Sequence, residues 1–255
     1  MTGFTQELRD GQLWLTLDRP EKLNAIGPET RRALTTAIRD AGEDAAVRVV
    51  VLTGAGDKAF TAGQDLAEMT DLDAEGGARW VRELAALYDA IRGLDKPSLV
   101  AVNGYASGAG LQMALHADCR IAADHARFGQ PEIDAGMPSV LGPWVMRAAL
   151  GLAVARDMAL SGRFLDAATA LRLGAVDEIV ARDALASAAR ARAAALAEAP
   201  PLAVALTKQR MRALTEAEWR ATVDHGEELA RRAFAAGEPQ RTARAFIEAR
   251  AARKR

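Results

Sequence analysis

Two stretches of this chain share one shape, and that shape limits what the chain can fold into. Val47 to Leu66 and Ser98 to Leu115 each run from an apolar strand through glycines into a helix. The strand portions, Val47–Thr53 and Ser98–Val102, are dense in branched apolar residues. Such runs suit strands buried on both faces, which occur in largely parallel sheets joined by crossover helices. Leu13 to Leu17 alternates like a strand and stops at Arg19-Pro20, and Pro28 opens a helix through about Glu43. A second helix is expected from about Gly77 to Gly93, and Cys119–Ala122 and Ala126–Gly129 read as further short strands. Strands alternating with helices predict an α/β architecture. After Pro200-Pro201 the pattern changes: Ala203–Met211, Glu216–Phe234 and Gln240–Arg250 are helical with no strand between them. Two parts are therefore expected, an α/β core over residues 1–199 and a helical region over 200–255.

A glycine-bearing turn that opens a helix presents N–H groups with no intrahelical partner, at the positive end of the helix dipole. Two such turns facing each other would hold an oxygen that gains negative charge, which is an oxyanion hole. Other readings of these glycines fit less well. Gly54-Ala55-Gly56 follows a strand as a dinucleotide fingerprint does, but position 59 is Ala and no helix starts there. Gly104 to Gly110 lacks the Gly-Lys-Ser/Thr of a phosphate loop. Tyr105 stands two residues before Ser107, where a nucleophile elbow needs glycine.

Composition excludes several classes. Half the residues are hydrophobic and the formal net charge is −1, so neither nucleic acid nor an anionic membrane is an expected partner. Arg241 to Arg255 is locally basic; a solvated helix face is the plainer reading, and a contribution to a phosphate-bearing ligand the sharper one. The single cysteine, Cys119, excludes an intrachain disulfide and fits a reducing compartment. His116, His125 and His225 are scattered without ligand spacing, so no metal is expected. Met1 to Asp10 lacks the basic start and apolar segment of a signal peptide, and no apolar run approaches membrane-spanning length. A cytoplasmic protein is expected.

Five strings, in order, resemble the crotonase superfamily, the enoyl-CoA hydratase/isomerase family. Lys58-Ala-Phe-Thr-Ala-Gly-Gln-Asp-Leu66 resembles its first oxyanion loop and Ala101-Val-Asn-Gly-Tyr-Ala-Ser-Gly-Ala-Gly-Leu111 its second. Arg19-Pro-Glu-Lys-Leu-Asn-Ala25 is similar to its early CoA-contacting segment, and Phe128-Gly-Gln-Pro-Glu-Ile133 to its catalytic-glutamate strand. Ser161-Gly-Arg-Phe, then Ala167 through Leu173-Gly-Ala-Val, resembles a later pattern. The resemblance implies a spiral of ββα units with a helical C-terminal trimerisation region, assembling as a homotrimer or a dimer of trimers. It implies an acyl-CoA substrate, with CoA entering as part of the substrate and no separate cofactor, and a place in fatty acid metabolism.

By position, the resemblance makes the N–H groups of Gln64 and Ala109 the two oxyanion donors. Lys22, Ala25, Ala62, Asp65 and Leu66 fall along the CoA path. Glu132 falls on the glutamate that exchanges a proton at the α-carbon. The water-activating glutamate of family hydratases falls on Gln112, and an amide can hold a water but cannot deprotonate it. Met137-Pro-Ser-Val-Leu-Gly-Pro143 stands where many members have a Gly-rich stretch, which implies a reshaped acyl pocket. Trp144 either lines that pocket or packs in the core. Hydration and double-bond isomerisation of an enoyl-CoA stay level, and a non-catalytic acyl-CoA-binding paralogue is the alternative that Gln112 raises. An NAD-dependent oxidoreductase would need nicotinamide binding, which no motif here supports.

Overall fold

The alternation of side chains along the apolar strands decides which face each residue covers. The structure, a computed structural model, describes residues 3–252, with side chains through 249. The basic tail read over Arg241–Arg255 therefore lies outside the described residues from Arg250 onward in its side chains. Strand β1 (Phe4–Arg9) pairs antiparallel with β2 (Gln12–Leu17). Strands β3 (Val49–Gly54), β5 (Ser98–Val102), β7 (Cys119–Ala123) and β10 (Glu178–Val180) extend the sheet in parallel, in the order β1-β2-β3-β5-β7-β10. Leu15, Val50, Leu52, Val100 and Val102 face the main core, built with helices α1 (Pro28–Glu43), α2 (Ala74–Gly93) and α3 (Ala109–His116). Trp14, Val49, Val51, Leu99 and Ala101 face the other way, onto Leu185, Ala189 and Ala193 of α7 (Leu185–Ala197). Both faces are covered, as the density of apolar residues required.

A second sheet runs β4 (Ala59–Thr61), β6 (Tyr105–Ser107), β8 (Arg127–Gly129) and β9 (Phe164–Asp166). Each of β3, β5 and β7 passes directly into one of its short strands, and the chain then turns into a helix. This is the expected ββα repeat. Strand β4 lies within the segment read as a loop over Gly54 to Gly63, because three residues are too few to show a period. Strand β8 stops at Gly129, and Glu132 lies on a 3₁₀ turn, Pro131–Ala135, rather than on a strand. Pro131 has no N–H to continue a ladder.

Helices α4 (Gly142–Leu150), α5 (Leu152–Ser161) and α6 (Ala167–Leu173) follow the second sheet. The segments read as separate helices at 203–211 and 216–234 form one helix, α8 (Pro201–Ala235), and α9 (Glu238–Ala252) follows it. The intervening Arg212-Ala-Leu-Thr has no breaker. Helix α8 lies along α2, with Trp219, Val223, Ala230 and Phe234 buried.

Candidate active site

The two glycine turns meet. Gly63 has φ +92°, a left-handed conformation, and a Cβ placed there would lie 2.7 Å from the Ser107 carbonyl oxygen and 3.4 Å from the Ala109 nitrogen. The first turn is pinned from behind. Ile26 donates its N–H to the Gly63 carbonyl at 2.8 Å, Asp65 donates to Ile26 at 3.0 Å, and Gly63 donates to the Thr61 hydroxyl at 3.0 Å. The second turn is pinned by Gly108, which donates to the Gly129 carbonyl at 2.9 Å. Between these bonds, among the described residues, the N–H groups of Gln64 and Ala109 donate to nothing in the chain. Ala109 is the first residue of α3, where no intrahelical acceptor exists.

Glu132 stands beside them. A Cβ on Gly108, which has φ +52°, would lie 3.2 Å from Glu132 Oε1. Gln112, one turn into α3, donates Nε2 to that same oxygen at 3.0 Å. Glu132 is partly exposed as a residue, yet its Oε2 is sealed from solvent without a partner among the described residues, as is Gln112 Oε1. Burial pushes the carboxyl up to about 7, against the weaker opposing influence of its own backbone and of the nearby polar groups of Ser139, Gln112 and Gln130. A group that is half ionised near neutrality can both take and return a proton.

The other residues singled out in the sequence divide into two groups. Lys22, Ala25 and Asp65 cluster at one mouth of the first turn: Lys22 Nζ lies 3.5 Å from Asp65 Oδ2, and Arg19 contacts both Asp65 (3.4 Å) and the Ala25 carbonyl (3.0 Å). Ala62 and Leu66 flank Gln64, and Ala62 donates to the Leu23 carbonyl at 2.8 Å. Trp144 packs against His116, the last residue of α3. It stacks on His116 with centroids 5.9 Å apart, tilts against Trp219 at 5.0 Å, and donates Nε1 to Glu218 at 3.0 Å.

Sequence reading missed Arg31. It is fully buried on α1 and donates to Gln64 Oε1 at 2.5 Å, to Glu68 at 2.6 and 2.9 Å, and to Glu83 at 2.7 Å. The signal was present: Arg31 falls three residues before Leu34 and seven before Ile38, on the helix stripe that faces the core. A crevice of about 550 Å³ at the carboxyl end of the large sheet, lined by Asp57, Asn103, Asp124 and Arg182, shares no residue with this site.

Residues 8–253 match the Enoyl-CoA hydratase/isomerase family. The chain belongs to that family. Among its relatives, a probable enoyl-CoA hydratase of Mycobacterium tuberculosis is 34% identical over 238 residues, covering 93% of this chain and 91% of that one. A carnitinyl-CoA dehydratase of Salmonella arizonae is 42% identical over 201 residues, covering 77% and 75%. The crystal structure of an enoyl-CoA hydratase/isomerase from Pseudoalteromonas atlantica superposes with a TM-score of 0.86 at 31% identity, covering 96% and 97%. This member of the enoyl-CoA hydratase/isomerase family is thus an enzyme with a mixed α/β core of ββα units and C-terminal helices. No helix among its described residues is long and apolar enough to cross a membrane.

Proposed function

We propose that the enzyme binds an enoyl-CoA with its thioester oxygen between the N–H groups of Gln64 and Ala109. The observation that carries this is the 3.4 Å approach of the Gly63 Cβ position to the Ala109 nitrogen, with both flanking N–H groups unused. As a proton leaves the α-carbon, or water adds across the double bond, negative charge grows on the thioester oxygen, and fixed donors stabilise that charge without reorganising. Glu132 moves the proton. In isomerisation it removes a proton from one carbon and returns it to another, so one carboxylate suffices. In hydration, Glu132 and Gln112 position a water, and Glu132 is the only one of the two that can exchange a proton. Relatives named as hydratases and as a dehydratase make water addition the first direction to assay.

Lys22, Ala25, Ala62, Asp65 and Leu66 would flank the CoA, whose phosphates would draw Lys22 and Arg19 off Asp65. Trp144 would act through the aromatic packing behind α3. Exposed Leu202, Leu206, Met211 and Leu214 on α8 support assembly through the C-terminal helices, as a trimer or a dimer of trimers. Work on acyl-CoA in the cytoplasm, within fatty acid metabolism, fits this reading.

Glu132→Gln should lower turnover about 10²–10⁴-fold on a responsive enoyl-CoA while binding of the ester persists. Unchanged turnover would remove Glu132 from the chemistry. Gln112 supports a second reading, a binding paralogue without activity; tight binding with no turnover of any 2-enoyl- or 3-enoyl-CoA by the wild-type protein would favour it.

A further inference from the structure

The site carries donors that the chemistry above does not use. Arg31 grips Gln64 Oε1 at 2.5 Å with a charged donor, and this fixes which way the amide faces. Gln64 Nε2 is consequently turned elsewhere, and it is buried without a partner. Residue 64 also carries the first oxyanion N–H, so its side chain lies within one residue of the thioester. Tyr88, in the C-terminal half of α2, is the second such donor. It is fully buried, and its hydroxyl has no partner among the described residues.

Three observations orient Tyr88. Its ring stacks on His116, with centroids 4.8 Å apart, and His116 follows Gln112 by one turn of α3. The Arg92 guanidinium lies over Trp144 and Trp219, on the far side of that aromatic cluster. The charges felt at the Tyr88 hydroxyl are instead those of Glu132 and Arg31. The hydroxyl end thus lies within electrostatic reach of both, and Arg31, which holds Gln64 Oε1, also donates to Glu83 on the helix that carries Tyr88. An unmet donor in a buried site costs stability until a ligand supplies an acceptor.

Resting on the acyl-CoA reading above, we propose that Gln64 Nε2 and the Tyr88 hydroxyl together bind an acceptor oxygen on the acyl group, so that the preferred ester carries a carbonyl along its chain rather than plain hydrocarbon. The Gln64 amide N–H and the Tyr88 O–H can both donate to a carbonyl, which only accepts. Burial, and then the Glu132 charge, hold the Tyr88 phenol well above its usual range, so it remains a donor at neutral pH. Arg31 is a positioning residue in this scheme: it touches no substrate and holds the Gln64 amide in one orientation.

The test is calorimetric binding of three saturated esters, hexanoyl-CoA, 4-oxohexanoyl-CoA and 5-oxohexanoyl-CoA, to wild type, Tyr88→Phe and Gln64→Met. At least one oxo ester should bind wild type about tenfold more tightly than hexanoyl-CoA. That preference should fall toward unity in both variants. Hexanoyl-CoA binding as tightly as both oxo esters, or a preference that survives both substitutions, would overturn the proposal. If neither the esters nor free CoA bind wild type, the acyl-CoA reading itself fails and takes this one with it. Thermal unfolding supplies the structural control. Tyr88→Phe removes an unpaired hydroxyl and should unfold no earlier than wild type, whereas a clear drop would make that hydroxyl a core hydrogen bond and overturn its role as a ligand donor.

Discussion

Glu132→Gln should make the protein more stable at pH 8, with the gain vanishing toward pH 4. In the folded state burial holds the Glu132 proton up to about pH 7, whereas an ordinary glutamate releases it near 4.5. Between those values the folded chain binds more protons than the unfolded one, so stability falls as pH rises through the window. At 1.36 kcal/mol for each pH unit, the gap corresponds to about 3 kcal/mol. Glutamine has nothing to ionise and escapes that cost. Its carbonyl can still accept from Gln112 Nε2, the partner that holds Glu132 Oε1 at 3.0 Å. The assay is urea unfolding of both proteins at fixed protomer concentration, in steps from pH 4 to pH 8. The difference in unfolding free energy should be small at pH 4 and grow to about 3 kcal/mol by pH 8. That corresponds to about 6–12 °C in melting temperature for a chain of this size. A difference that stays flat across the window would show that Glu132 titrates like a solvated glutamate, and the case for its buried carboxyl would fail. A difference that grows toward low pH would mean that the carboxylate is stabilised by the fold, the opposite of what its surroundings dictate.

On the proposed mechanism the same carboxyl sets the rate: if Glu132 starts by taking a proton from carbon, kcat/KM for isomerisation should rise with pH and level off above about 7, and a fall through that pH would make it a proton donor instead. Gly63→Ala forces a Cβ to 2.7 Å from the Ser107 carbonyl at φ +92° and should spread the two turns. Losing one oxyanion donor in this way costs about 10²–10³-fold in kcat, and an unchanged kcat would place the reacting oxygen elsewhere. Arg31→Met strips the partner from Glu68 and Glu83 in a buried setting and should cost about 3–5 kcal/mol in unfolding free energy, with a loss below about 1 kcal/mol refuting a buried, paired guanidinium.

Why some of this was legible in the sequence and some was not follows from the range of the interactions involved. Val49–Gly54 and Ser98–Val102 are buried on both faces, so nearly every residue carries the signal, and both strands were found close to their true limits. The three-residue strands β4, β6 and β9 hold one side chain or two per face, and their pairing depends on neighbours 22 to 46 residues away. No local window could show them. The glycines of the two turns were legible as glycines, but their convergence was not, since it depends on Gly63 meeting Ser107 across 44 positions of chain. The match of five motifs in order carried the expectation where spacing could not.

Arg31 shows where pattern reading stops. A charged residue on a core-facing stripe is a signal, but it names no partner. The partners come from three other elements: Gln64 from the first turn, Glu68 from the 3₁₀ turn after it, and Glu83 from α2. Burying one guanidinium among two carboxylates is costly, and the pairing largely offsets the desolvation rather than adding net stability. The network's value therefore lies in what it holds still. It ties α1 and α2 to the loop that bears the proposed oxyanion N–H of Gln64, and it sets the orientation of the amide on that same residue. A hydrophobic replacement of all three charges could match its stability, but nothing apolar would hold Gln64 Oε1 or decide where Gln64 Nε2 points.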